Sequence, residues 1–332
     1  MNSFEKLKKW LKIKDNIKMY DRNERGLYSI KELKKGEIII KIKSKYLLEY
    51  SSIYVLYPIS NINERNSLIA FYLIKLYLED NEFWTSYIDS FPKNLDENIL
   101  YFNKKNLALL NNTSLTCKGF YNYYDYHKSI NEDCITIFNF MIKYGILSEH
   151  FNNITYNNED FEYNVVDNWE YDKFHTLFLR FRIIVGSRIF GYDKNNFEES
   201  GMVPYIDMIN YSHDPNSTWY FDEGNDSFIL KSIKSIPKNS EIYDDYGNKS
   251  NNDFFLYYGF TIPDNPYNTL KINVNNNVLE LNKYYNGDLS IFKDKLKNIY
   301  DHHIHLLPTI KDINIQNIYK DEINIIKNLI IH

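Results

Sequence analysis

Two stretches of short strands and turns, one near the start of the chain and one over residues 201–275, are separated by a long segment with helical spacing. That order constrains the fold more than any other feature. A strand buries its apolar face only against a partner, so the two β segments must meet across whatever lies between them. The first segment holds the turn Asp21-Arg22-Asn23-Glu24-Arg25-Gly26, a strand from Leu27 to Ser29, the turn Lys34-Lys35-Gly36 and the β-branched run Glu37 to Ile42. The second offers strands at 228–232 and 241–246, with Ile236-Pro237-Lys238-Asn239-Ser240 as the turn between them.

The intervening residues, roughly 62–190, read as mainly helical. Leu68, Ile69, Tyr72, Leu73, Leu76 and Tyr77 fall on one helical face. Phe83, Trp84, Tyr87 and Ile88 suggest a second helix, stopped by Pro92. Ser129 with Glu132 reads as a capping box before Ile135 and Phe138. Asp172 is a candidate cap for a helix carrying Phe174, Leu177, Phe178 and Phe181. Residues 149–170 are polar and read as a loop. A short amphipathic helix is expected within residues 1–20, on Phe4, Leu7, Trp10 and Leu11. A helical tail after 285 carries Ile291, Leu296, Ile299, Ile323, Ile326 and Ile330. The expected architecture is α+β: one domain over residues 1–275, interrupted by the insert, and a short helical segment over 276–332.

Charge and cysteine content remove several classes of function. The net charge is -5, with no long basic block, so a phosphate-neutralising nucleic-acid binder is not expected. Cys117 and Cys134 are the only cysteines, too few for a four-cysteine zinc site or a disulfide framework. They read as two buried thiols in a reducing compartment. The first fifteen residues are charged and lack the apolar core of a signal peptide. No apolar run reaches the roughly 18 residues that span a membrane. The chain therefore reads as soluble and cytoplasmic, with the nucleus as the alternative, and as a monomer. His302, His303 and His305 have no cysteine or carboxylate pattern to complete a metal site, and read as a solvated segment. Lys249 also reads as a solvated turn residue. No metal is expected.

The informative residues lie between 202 and 260. Met202-Val203-Pro204-Tyr205-Ile206-Asp207-Met208-Ile209-Asn210-Tyr211-Ser212 is followed by Tyr246-Gly247-Asn248-Lys249-Ser250-Asn251 and then by Tyr258-Gly259-Phe260. This succession resembles the SET-domain methyltransferases, in the class with a helical insert that includes the plant Rubisco large-subunit lysine methyltransferase and the actin-histidine methyltransferases. Their pattern is hydrophobic-Pro-x-x-Asp-x-x-Asn-His-Ser, then Tyr-Gly-x-x-Ser-Asn, then Tyr-Gly-Phe. Arg25-Gly26-Leu27 is similar to the family's N-terminal Gly-x-Gly-Leu turn. The segment Phe83 to Pro92 and Val185-Gly186-Ser187-Arg188-Ile189-Phe190 are similar to signatures of its insert. The resemblance runs over roughly residues 1–275, in the family's order. Two positions depart from it: Glu24 stands at the usual first glycine, and Tyr211 at the usual histidine. The C-terminal lobe is also shorter than the long substrate-binding domain common in the class.

The resemblance implies a SET-type fold in which the strands around Asn210 and Tyr246 are threaded as a pseudoknot. It implies S-adenosyl-L-methionine as cofactor and a protein as substrate. Tyr246 would be the catalytic tyrosine at the mouth of the substrate channel. A lysine in water has a pKa near 10.4 and is mostly charged, and a narrow apolar channel favours the neutral, nucleophilic amine. Taken alone, Tyr246 is a strand-end tyrosine in a chain with 31 tyrosines. Tyr258 would form a second aromatic wall of the channel, with Gly259 and Phe260 near the cofactor, although an aromatic pair in a core is the bland alternative. Asn210 would hold the amino-acid end or ribose of the cofactor, and the backbone of Asn210 and Tyr211 would meet the adenine. Asp207, Met208 and Ile209, which lead into Asn210, are assigned with it. Arg25, Gly26 and Leu27 would bring backbone groups to the methionine moiety. Arg188 would serve the cofactor carboxylate or the substrate channel, and Asp207 the substrate end. Three functions follow as expectations: protein-lysine methylation, protein-histidine methylation, and a catalytically inactive binding module. Glu24 and Tyr211 motivate the last.

Overall fold

The computed structural model describes residues 3–13, 17–21, 25–95, 98–151 and 169–330. Arg22, Asn23 and Glu24, and residues 152–168 of the loop expected over 149–170, lie outside the described residues. The chain divides into two compact units: residues 1–93 with 132–246, and residues 94–131 with 247–332.

The first unit opens with α1 (Ser3–Leu11), which buries Phe4, Leu7 and Leu11 at the expected helical spacing. The helix stops there, and residues expected to continue it form β1 (Ile17–Asp21). β1 pairs antiparallel with β2 (Arg25–Ser29), from Ile17↔Ser29 to Asp21↔Arg25. β3 (Ile38–Lys43) follows, after a turn that Gly36 completes at φ +84°. Next come β4 (Leu48–Glu49), α2 (Tyr50–Leu56), α3 (Arg65–Leu78) and α4 (Thr85–Ile88). α3 is apolar on more than one face: Ala70, Phe71 and Ile74 are buried beside Leu68, Ile69, Leu73 and Leu76, while Tyr77 is exposed. A helix apolar on most sides belongs inside a core.

The N-terminus of α3 is held from outside the helix. Asp133 accepts from the amides of Asn63 (2.6 Å) and Glu64 (3.1 Å) and from the Ser67 hydroxyl (2.6 Å). A carboxylate there satisfies orphan N–H groups and complements the positive end of the helix. Asp133 lies within α6 (Tyr123–Tyr144), which follows α5 (Lys104–Ala108). Ser129 also lies inside α6, with its hydroxyl donating to Tyr126 O, so the expected Ser129/Glu132 capping box is not a helix start. The start is at Asn122, whose side chain accepts from the amides of Tyr124 and Asp125 while Asp125 accepts from Asn122 N. Asp172 likewise lies inside α7 (Trp169–Gly186) and does not cap it.

After α7 the chain returns to strands: β5 (Ile189–Lys194), β6 (Phe197–Met202), β7 (Asn210–Tyr211), β8 (Ser217–Asp222), β9 (Ser227–Ser232) and β10 (Tyr243–Asp244). Two three-stranded sheets run β3-β9-β8 and β4-β6-β5, and β7 pairs parallel with β10. The β segments at the two ends of the insert therefore do meet. β3 pairs with β9 from Ile38↔Lys231 to Lys43↔Ser227, and β4 with β6 at Leu48↔Met202. Further bonds stitch the first segment to residues 236–242: Ser29 N to Ser240 O (3.0 Å), Leu33 N to Ile236 O (2.9 Å) and Ile242 N to Leu27 O (2.8 Å). The strand expected over 241–246 contracts to the two residues of β10.

The second unit contains α8 (Asn251–Tyr258), the hairpin of β11 (Leu270–Val274) and β12 (Asn277–Leu281), α9 (Lys293–Leu306) and α10 (Ile313–Ile330). Leu270, Ile272, Leu281, Leu296, Ile299 and Ile326 form its core. Ser250 caps α8 in a reciprocal box with Asp253, and Gly259 ends it at φ +82°. Asn251 ties α8 to its surroundings: its side chain donates to Ile262 O (2.8 Å) and Asp321 (2.7 Å) and accepts from Ile262 N (2.8 Å). The expected solvated histidine segment is corrected here. His303 is fully buried, stacks on Tyr319 at 4.1 Å between ring centroids, and bonds Glu322 at 2.8 Å. Glu322 also accepts from Ser114 N (2.8 Å). His302 is half-buried and His305 exposed.

Candidate active site

The first unit brings Arg25–Leu27, Asp207–Tyr211 and Tyr246 together around the β7–β10 pair. Tyr243 aligns with Asn210 and Asp244 with Tyr211, and Ser212 N extends the ladder to Asp244 O (3.0 Å). The approach to β7 is strained. Tyr205 is 1% exposed and holds φ +74°, ψ −42°, a conformation that costs a non-glycine residue about 1–3 kcal/mol. It starts the single 3₁₀ turn Ile206–Met208, which places Asp207 and Met208 inside and delivers Ile209 and Asn210 to β7.

Asn210 is a cross-brace. Its amide nitrogen donates to Arg25 O (2.7 Å) and to Glu241 Oε1 (2.8 Å). An amide NH₂ has two donors, so both are used within the protein. What remains of the side chain for a ligand is the acceptor Oδ1. Glu241, which sequence reasoning did not single out, gathers three donors: Asn210, the Tyr28 hydroxyl (2.8 Å) and the Tyr243 hydroxyl (2.9 Å). Its backbone carbonyl accepts from Asn216 Nδ2 (2.9 Å), and Asn216 Oδ1 accepts from Tyr243 N (2.9 Å). Gly26 lies against this brace. A Cβ on Gly26 would collide with Glu241 Oε1 and come within 3.0 Å of Asn210 Nδ2. Glycine is required there for close approach, not for an unusual φ.

Tyr246 is half-buried, and its hydroxyl donates to Ile209 O at 2.6 Å. That bond fixes the ring against the residue preceding Asn210. Tyr211 lies 5.5 Å from it, centroid to centroid, and its own hydroxyl bonds His213 Nδ1 (2.8 Å). Leu27 is buried and accepts from Ile242 N. The Arg25 guanidinium donates to Ser90 O (2.8 Å) and lies over the Phe4 ring, so the side chain faces the insert while its carbonyl faces Asn210.

Asp207 and Arg188 form a second cluster. Arg188 Nη1 donates to the backbone carbonyl of Asp207 (2.9 Å), and Tyr87 donates its hydroxyl to Asp207 Oδ2 (2.5 Å). Among the described residues, Asp207 Oδ1 and Arg188 Nε are buried without a hydrogen-bond partner. Burial raises the Asp207 carboxyl to about 6, against the pull of Arg188 and of the Tyr87 hydrogen bond. Burial likewise raises Asp244 to about 6, although Trp219 Nε1 donates to it at 2.9 Å. Tyr87 was legible only as a core position of the insert; nothing in the sequence pointed to its bond with Asp207.

Tyr258, Gly259 and Phe260 belong to the second unit, at the C-terminal end of α8. Both aromatic rings pack on Phe254 there, at 5.9 and 5.3 Å. Lys249 is half-buried, with its carbonyl accepting from Asn265. Among the described residues no group of three or more His, Cys, Asp or Glu side chains could hold a metal ion. No described helix is long and apolar enough to cross a membrane.

Known proteins share this architecture. A crystal structure of the SET domain of LSMT bound to lysine and AdoHcy superposes with a TM-score of 0.69 at 14% identity, covering 99% of this chain and 90% of that one. A structure of Rubisco LSMT bound to AdoMet gives 0.63 at 15% identity, covering 98% and 90%. At such identities the likeness shows the fold, and it is the SET-type α+β fold expected from the motifs. The protein-lysine N-methyltransferase EFM1 of Saccharomyces cerevisiae is 30% identical over 120 residues, 34% of this chain and 20% of that protein. The SET domain-containing protein 4 of Artemia parthenogenetica is 30% identical over 83 residues, 25% and 21% of the two chains. The actin-histidine N-methyltransferase of Xenopus tropicalis is 24% identical over 260 residues, 74% of this chain and 40% of that one. The chain thus spans between a fifth and two fifths of the length of these curated relatives. A family model described as SET domain matches residues 24–247, more than half of the chain, and the chain belongs to the SET domain family.

Proposed function

We propose that this chain is an S-adenosylmethionine-dependent protein methyltransferase whose acceptor is a lysine side chain. The observation that carries the reading is the brace of Asn210 on Arg25 O and Glu241, with the Tyr246 hydroxyl bonded to Ile209 O one residue away. It gathers, in one unit, segments far apart in sequence: Asn210 lies 185 positions from Arg25, and Glu241 213 from Tyr28. The residues fit the cofactor. Among the described residues Asn210 Oδ1 is an acceptor with no protein partner, suited to an ammonium or a ribose hydroxyl, and Gly26 lets the β2 turn close against Asn210 and Glu241. Arg25–Leu27, Asp207–Ile209 and the backbone of Asn210 and Tyr211 would hold it, with Arg188 available to its carboxylate.

S-adenosylmethionine, when bound, supplies a methyl group on a sulfonium, open to in-line attack. The protein must present a neutral nucleophile in line and keep water out. Tyr246 is the residue to orient the acceptor amine, because its ring is fixed by the bond to Ile209 O and by the neighbouring Tyr211 ring. Asp207 Oδ1 and Arg188 Nε, buried without a partner among the described residues, are the polar atoms assigned to the substrate end. Tyr211 at the family's histidine position keeps the backbone pairing with Asp244, which supports retention of the site. Histidine methylation is the second reading, favoured by the length of the match to the actin-histidine enzyme. Imidazole, with a pKa near 6.5, needs less desolvation than an amine.

Calorimetric titration with S-adenosylhomocysteine tests the site. Wild-type protein should bind, Tyr246→Phe should bind nearly as well, and Asn210→Ala should bind more weakly. Radiolabelled methyl transfer to a protein extract, followed by amino-acid analysis, separates methyl-lysine from methyl-histidine. Tyr246→Phe should abolish the label. Absence of binding by the wild-type protein would sink the enzymatic reading and leave a binding module.

A further inference from the structure

Away from Tyr246, the edge strands of two sheets of the first unit abut. β5 is an edge of β4-β6-β5 and β8 an edge of β3-β9-β8, so among the described residues each has a strand partner on one side only. Along this seam runs a groove of about 520 Å³ lined by Tyr192, Asp193, Glu198, Trp219, Tyr220 and Phe221. Its aromatic residues are held by packing: Trp219 meets Phe190 edge-on at 5.2 Å, and Phe221 stacks on Tyr192 at 5.7 Å. Tyr220 is 42% exposed.

The rim of the groove carries a charge arrangement that the fold does not need. Asp193 and Glu198 are directly opposed in the β5–β6 hairpin. Like charges in that relation destabilise a strand pair. The register is not accidental, because Asn195 and Asn196 between the strands both take positive φ (53° and 63°), as a two-residue hairpin turn requires. Among the described residues neither Asp193 nor Glu198 has a cation within ion-pair distance. Lys194, the adjacent ammonium, is bonded to both carboxylate oxygens of Glu49 at 2.7 Å and lies over the Phe221 ring. Glu223 adds a third carboxylate at the turn, where it accepts from Asn195 N (2.7 Å).

Aromatic faces beside two unneutralised carboxylates complement a cation on an apolar stem. We propose that this groove docks a lysine- or arginine-bearing segment of a partner protein, with the cation between Asp193 and Glu198 and its methylenes along Tyr220 and Trp219. The inference does not depend on methyl transfer, and its test reads binding alone.

The probe is a fluorescein-labelled lysine–alanine repeat peptide, titrated into the full chain and followed by anisotropy, with the fully acetylated peptide as control. The wild-type protein should bind the first and not the second. Asp193→Asn with Glu198→Gln should weaken binding roughly tenfold. Tyr220→Ala should weaken it as well. Glu32→Gln with Glu82→Gln, two exposed acids elsewhere, makes the same change in net charge and should leave binding within about twofold. The groove double variant should also melt about 1–3 °C higher, since it removes a like-charge pair. Equal loss in the two double variants would reduce the effect to general charge attraction and overturn the proposal. So would acetylated peptide binding as well as the free form, or a groove variant that melts lower than wild type.

Discussion

Asn210→Asp is the sharpest perturbation of the site, because it exchanges one heavy atom, the amide nitrogen for an oxygen, and almost no volume. The wild-type amide donates to Arg25 O at 2.7 Å and to Glu241 Oε1 at 2.8 Å. An ionised carboxylate offers only acceptors, so both contacts become repulsive and two half-buried acceptors lose a donor. At about 1–3 kcal/mol for each group left unsatisfied, more where a charge is involved, the variant should lose about 3 kcal/mol at neutral pH. A proton on the new carboxyl restores one donor, so the loss depends on pH. Its folded-state pKa must lie above the unfolded value of about 3.9, by roughly two units for a loss of about 3 kcal/mol. Relative to wild type, the variant is therefore least destabilised near pH 4, and its deficit grows until the pH passes about 6. Urea unfolding read by tryptophan fluorescence measures this cleanly, because Trp10, Trp84, Trp169 and Trp219 all lie in the first unit. A deficit that stays constant between pH 4 and pH 8, or stays under about 0.5 kcal/mol, would refute the brace.

The Asp207 carboxyl is raised to about 6 by burial, so the stability it contributes is present below pH 3.8 and is lost as pH rises through about 6. Over that window the wild-type first unit should lose about 3 kcal/mol relative to Asp207→Asn, measured by the same urea titration. In the second unit, Glu322→Ala removes the partner of both His303 and Ser114 N and should cost about 3–5 kcal/mol, seen as faster hydrogen exchange at the Ser114 amide. Ser250→Ala breaks the capping box of α8 and should cost about 1 kcal/mol by calorimetry, whereas Ser250→Asp should recover most of it.

The parts of the fold that sequence revealed are those whose signal is local. β3, β9 and α1 follow from apolar spacing, and the SET motifs follow from short runs of residues in order. β7 and β10 are two residues each, below any periodicity, and exist because each supplies the other's ladder. Glu241 reads only as the first residue of the strand expected over 241–246. Its importance comes from the Tyr28 hydroxyl, 213 positions away, which no window along the chain contains. Ser129 and Asp172 carried the chemistry of caps but lie within helices, since capping residues are tolerated in a helix whose other faces pack. His303 is the instructive error. Leu296, Ile299 and His303 recur at three- and four-residue intervals, the spacing of the buried face of α9, and the adjacent His302 and His305 hid that pattern.

The brace also explains how an insert of such length is compatible with one site. Closing a chain loop grows in cost only with the logarithm of its length, so a helical segment that folds on its own contacts adds little to the cost of joining β3 to β9. What must then be specified is register, and it is specified polarly. Glu241 satisfies its three donors only when β2, β7 and β10 are all in place, and Gly26 admits Glu241 only because it has no side chain. A slip of one residue in β7 would turn Asn210 away and leave Arg25 O and a carboxylate without their donor, a larger penalty than the apolar contacts of two-residue strands could offset. The polar brace, and not the short ladder, therefore fixes where the backbone of Asn210 and Tyr211 stands relative to Arg25–Leu27. That relation is the one on which a cofactor held by backbone atoms depends.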